Sequence, residues 1–151
     1  MGRHSRKDKL KLAVIRYVES ELRDYHETRD MLNNALTDII EKSPMPEEGS
    51  SITSRNNVSK PTERNAILLI TNKRVQQMEK TVGAIYKVLD MLERFDNSKR
   101  RLVQLGYFER RLTPIGIAEE LHISERTFYI WRNEIIKLIA VEMGLANAAD
   151  L

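Results

Sequence analysis

The side chains best suited to chemistry lie between Leu112 and Ala140, in the stretch LTPIGIAEELHISERTFYIWRNEIIKLIA. Arg126 can donate two parallel hydrogen bonds to guanine O6 and N7. Asn133 can pair bidentately with adenine, and Glu125 can accept from cytosine N4. Tyr129 can touch a thymine methyl group or donate to a phosphate. Thr113, Ser124 and Thr127 fall at helix starts, where free N–H groups and the helix dipole favour phosphate oxygens. Arg132, Lys99, Arg100, Arg101, Arg110 and Arg111 supply further cations for a phosphate backbone. These residue types in one short stretch suit double-stranded DNA as a ligand.

Reading bases requires a helix whose N-terminal end enters the major groove. The sequence around these residues provides one. Thr113 can cap a short helix, with Pro114 in its first turn, and Ile117, Ala118 and Leu121 form its inner face. Ala118 is small enough to let a second helix cross closely. After a turn at His122-Ile123, Ser124 caps the second helix, whose inner face is Phe128, Trp131, Ile135 and Leu138. Glu125, Arg126, Tyr129 and Asn133 are left facing outward. His122 occupies the turn position that glycine usually fills, so it must adopt a left-handed conformation or use another turn. The bland alternative is a three-helix bundle that binds only protein.

Two longer elements precede this unit. From Leu12 to Ile40, Ile15, Val18, Leu22, Tyr25, Arg29, Leu32, Leu36 and Ile39 recur in steps of three and four. This predicts one uninterrupted helix of about 45 Å with a narrow seam carrying a single charge, Arg29. Residues 43–60 (SPMPEEGSSITSRNNVSK) break the pattern, because Pro44 and Pro46 stop a helix. A second long helix starts at Pro61. Its seam runs through Leu68, Thr71, Val75, Met78, Val82, Ile85, Leu89 and Leu92, widened by Ile67, Leu69, Ile70, Tyr86 and Val88. The two seams predict an antiparallel pair. So thin a core also predicts a homodimer or higher homo-oligomer. Asp96 and Asn97 end the second helix and cap a third.

Composition narrows the function further. The 151 residues include no cysteine, which removes disulfides, thiolate metal sites and a cysteine nucleophile. Only 6 glycines and 4 prolines argue against a turn-rich β architecture. No apolar run reaches the roughly 18 residues of a membrane span. A phosphate loop, a Ser/His/acid set and a metal-ligand cluster are all missing from the sequence, so no enzyme and no cofactor are expected. The net charge of +3 is unevenly spread, with Arg3, Arg6, Lys7, Lys9 and Lys11 crowding the N-terminus.

The chain resembles the RinA-type phage transcriptional activators, which are related to the ArpU group and carry a C-terminal unit similar to sigma-factor region 4. RDYHETRDML in the first helix, the break at EKSPMP, the entry KPTERNAILLITNKRV and the stretch LTPIGIAEELHISERTFYIWRNEI carry the likeness. The resemblance implies activation of late phage operons for packaging and morphogenesis, by an oligomer on promoter DNA, with RNA polymerase a candidate partner.

The sequence thus predicts an all-α protein in three parts. They are a basic arm at 1–11, a long helical hairpin for oligomerisation at 12–95 with its linker at 43–60, and a helix-turn-helix DNA-binding domain at 96–151. Its expected place is the cytoplasm of a bacterial host, on DNA and away from membranes. The competing function is DNA packaging, as by a small terminase subunit. Those proteins tend to place the DNA-binding unit ahead of the oligomerising helices, the reverse of the order here.

Overall fold

The computed structural model describes residues 10–42 and 61–148, with backbone alone for residues 61–71. The basic stretch before Leu10, the 43–60 linker and the side chains of Ile67, Leu68, Leu69, Ile70 and Thr71 therefore lie outside the described residues. The protein is all-α. Its helices are α1 (Leu12–Arg23), α2 (Tyr25–Lys42), α3 (Pro61–Phe95), α4 (Asn97–Val103), a π-helix (Gln104–Glu109), α5 (Pro114–Glu120) and α6 (Glu125–Glu142). Among the described residues no helix is long and apolar enough to cross a membrane.

The first seam folds inward as its spacing predicts, but on two helices instead of one. Asp24 interrupts it with φ −92° and ψ 2°. Hydrogen bonds from Asp24 N to Ser20 O (3.0 Å) and from Thr28 N to Asp24 O (2.8 Å) continue on either side. The physical reason is a change of partner. The α1 helix packs on α6 and the π-helix, whereas α2 lies along α3, and one straight rod cannot follow both surfaces. Val18, Leu22, Tyr25 and Leu32 are buried. Arg29 is exposed and pairs with its neighbour Asp30 at 3.3 Å, so it is not a charge inside the seam.

Along α3, Val75, Ala84, Ile85, Val88, Leu89 and Leu92 are buried. Tyr86, expected to widen that face, points to solvent with 62 % of its surface exposed. The α2–α3 pair runs antiparallel. Tyr25 at the start of α2 lies near Tyr86, while Thr28 and Met31 share a cleft with Gln77 and Met78. Both chain directions thus run away from each other along the pair.

The main core does not divide at Asp96. Val18 and Leu22 of α1, the last third of α3, Leu102 and Val103 of α4, Tyr107 of the π-helix, Ile117 and Ala118 of α5, and Ile135 and Ile139 of α6 form one apolar cluster. Each buried aliphatic side chain there contributes about 1.5–3 kcal/mol. The C-terminal helices are therefore fixed on α1 and on the end of α3, with the outer part of the α2–α3 hairpin projecting from them.

Candidate nucleic-acid interface

Local chemistry sets the start of every C-terminal element. Asp96 caps α4 by accepting from Lys99 N at 3.2 Å. The α4 helix passes directly into the π-helix, which ends when Arg110 adopts a left-handed conformation (φ 53°) and donates its N–H to Leu105 O, five residues back, at 3.2 Å. Thr113 then accepts from Gly116 N at 3.2 Å, and Pro114 holds the first turn of α5.

The turn between α5 and α6 is a Schellman closure. Ile123 N donates to Ala118 O (2.9 Å) and His122 N donates to Glu119 O (3.1 Å), with His122 at φ 54°. This geometry normally calls for glycine. The same closure recurs after α6, where Leu145 N meets Ala140 O and Gly144 stands in the left-handed position at φ 74°. Of the two options open to His122, the chain takes the left-handed one. Ser124 caps α6, accepting from Thr127 N at 3.1 Å, and its hydroxyl shares a 2.8 Å bond with that of Thr127.

The α6 helix divides into two faces. Phe128, Ile135, Ile136, Ile139 and Ala140 are buried. Trp131 and Leu138, placed by sequence on the inner face, are half-buried and pack on its margin. On the other side Glu125, Arg126, Tyr129 and Asn133 are all exposed, as their spacing predicts. Two further residues belong with them. Ile130 is 46 % exposed on the same outward face. Arg23 of α1 reaches a cleft of 290 Å³ that it shares with Leu112, Pro114 and Tyr129. Sequence periodicity gave no signal for Arg23, because it lies outside the seam and far from α6 along the chain.

The cations expected to meet phosphate separate into two groups. Arg110, Arg111 and Arg126 are exposed, with no ion-pair partner among the described residues. The others are already engaged. Lys99 pairs with Asp96 at 3.1 Å and Glu134 at 3.0 Å, and sits 5.9 Å from the Trp131 ring centre. Burial works against its charge, but the two carboxylates outweigh this and raise its pKa. Arg101 pairs with Glu120 at 3.0 Å. Arg100 lies 5.8 Å from the Phe108 ring and 3.5 Å from Gln104 Oε1.

Arg132 departs furthest from the expectation. It points inward, where Nε and Nη2 both donate to the buried carboxylate of Glu19. The Thr113, Ser124 and Thr127 hydroxyl oxygens serve as caps or cap partners; Thr113 keeps its hydroxyl proton to donate outward, whereas the Ser124–Thr127 bond uses one of that pair's two protons.

Leu10, just before α1, lines a 340 Å³ cleft with Ile15, Asn133, Ile136 and Lys137. Leu10 thus lies beside the middle of α6.

Residues 14–141, from the first turns of α1 to the last turn of α6, match the family model described as Protein of unknown function (DUF722). The chain belongs to that family. No curated protein and no solved structure matches it. The DUF722 match spans α1 as well as the C-terminal helices, so Glu19, Tyr107 and Arg132 all fall within the family's extent.

Proposed function

We propose that this DUF722 chain is a sequence-specific DNA-binding transcription regulator in which α5 and α6 act as a helix-turn-helix. The observation that supports this most strongly is the division of α6. One face is locked in the core by Phe128, Ile135 and Ile139, while Arg126 and Tyr129 stand exposed near its N-terminal end and Asn133 at its middle. A helix held rigidly from behind, with a fork donor and an amide in front, suits major-groove readout. Arg110, Arg111 and Arg23 flank it as phosphate contacts, and the sequence carries further basic charge at residues 3–11.

The resemblance to RinA-type activators extends the proposal to activation of late phage genes inside the bacterial host cell, with RNA polymerase as a partner. Sequencing the genomic fragments retained by the purified protein tests it. Recovery of one consensus upstream of late genes supports the regulator. Fragments clustered at a packaging site would replace it with a packaging role, and retention without any consensus would end the sequence-specific reading.

A further inference from the structure

Phe95, the last residue of α3, is 84 % exposed, the most exposed large apolar side chain among the described residues. An aromatic ring left in water at a helix end is a normal feature when isolated, but this one stands at the edge of a groove. Between the end of α3 and the second half of α6 lies a 260 Å³ cleft lined by Val88, Met91, Phe95, Leu138 and Val141. Two ion pairs flank it, Lys87 with Glu142 at 2.8 Å and Arg94 with Asp90 at 3.0 Å. Knob, hole and both signs of charge therefore occupy one face.

That combination is the requirement for an isologous interface, in which one patch meets itself about a twofold axis. We infer that this face binds a second copy of the chain, with Phe95 of each protomer seated in the α3–α6 groove of the other. The two cations and two anions are paired within the chain, so the face is neutral and meets a copy of itself without net repulsion. A membrane or a nucleic acid would favour a face of one sign, and this one is balanced. Apolar anchors inside a polar rim match the anatomy of stable protein interfaces.

The same helix then links assembly to DNA, a consequence that rests on the function proposed above. Arg126 and Leu138 are twelve residues apart on α6, about 18 Å at 1.5 Å per residue. A twofold axis near Leu138 separates the two Arg126 side chains by up to about 36 Å, one turn of B-DNA.

Sedimentation of the full-length chain without DNA tests the surface by itself. The wild type should show about twice 17.6 kDa at micromolar concentration. Phe95→Glu should weaken self-association at least about 30-fold, the effect of losing an interface anchor. Its helical signal should stay unchanged, since Phe95 is in water within the single chain, while its melting temperature should lose the dependence on concentration that a dimeric wild type shows. Tyr86→Gln, nine residues earlier on the same helix and half a turn from Phe95, adds no charge beside Asp90 and should associate like wild type. A monomeric wild type, or a Phe95→Glu variant as tightly associated as the wild type, overturns the proposal. If Phe95→Glu is monomeric but the wild type selects no DNA sequence, the interface stands and the DNA reading falls. Footprinted half-sites spaced by something other than about one turn would displace the axis from Leu138.

Discussion

Glu19 and Arg132 lie 113 positions apart and form an ion pair at the junction of α1 and α6. Arg132 Nε donates to Glu19 Oε1 at 2.9 Å, Nη2 donates to the same oxygen, and the Tyr107 hydroxyl donates to it at 2.8 Å. Glu19 is only 8 % exposed, so these donors replace the water that its charge has lost. One carboxylate thereby ties α1, the π-helix and the front half of α6 together.

Removing one partner of a buried pair leaves the other charge uncompensated, at a cost of about 3–5 kcal/mol. Arg132 is partly open to solvent, which places Arg132→Ala near the low end, at about 3 kcal/mol. Urea unfolding should show this loss, and adding Glu19→Gln should restore much of it by removing the stranded charge. If Arg132→Ala unfolds at the wild-type midpoint and instead loses DNA affinity uniformly across sequences, Arg132 is a phosphate contact.

Arg126 gives the opposite pattern. It is exposed and unpaired among the described residues, so Arg126→Ala should melt like wild type. Under the proposed function it should lose about 1–3 kcal/mol of binding to the selected site and relax one base pair of specificity. Trp131→Ala should instead lower stability by roughly 3 kcal/mol, because its ring packs on the core edge. Equal weakening on specific and random DNA would make Arg126 a phosphate contact.

His122 and Gly144 occupy the same position of the same closure, one with a Cβ and one without. A left-handed L-residue costs roughly 1–2 kcal/mol, part of which glycine returns as unfolded-state entropy. His122→Gly should therefore raise stability by about 0.5–1 kcal/mol, or about 2–4 °C in melting temperature for each 1 kcal/mol. Gly144→Ala should lower it by a similar amount. A melting temperature that falls with His122→Gly would mean that the imidazole makes a stabilising contact.

Alkaline pH probes the buried trio. Burial, reinforced by the Glu19 charge, pushes the Tyr107 phenol well above its ordinary value of 10.0. A raised native pKa means that the unfolded chain releases its proton first. The stabilising contribution is thus complete below about pH 10 and is lost as pH climbs toward the native value. Lys99, also raised, acts in the same direction. Urea midpoints measured between about pH 8 and 11 should fall at the top of the range. Tyr107→Phe should flatten that fall, while costing about 1 kcal/mol at neutral pH for the missing hydrogen bond. An equally steep alkaline loss in Tyr107→Phe would assign the effect to other groups.

The sequence by itself determined what local interactions can encode. Helical class followed from periodicity. Pro61, Asp96, Thr113 and Ser124 marked helix starts, because a cap or a missing N–H acts within one turn. The outward side of α6 was legible for a similar reason: Phe128 and Ile135 fix the inward side, and 3.6 residues per turn does the rest.

Only the tertiary structure decided where the partners of these helices lie. The kink at Asp24 serves two packing surfaces that are distant in sequence. Arg132 is polar and reads as a surface cation until Glu19, 113 positions away, turns it inward. Arg23 joins Tyr129 at one cleft through the α1–α6 packing. A periodicity reports which side of a helix is buried, but not what buries it. Pairings between residues so far apart are set by the packing of the whole core.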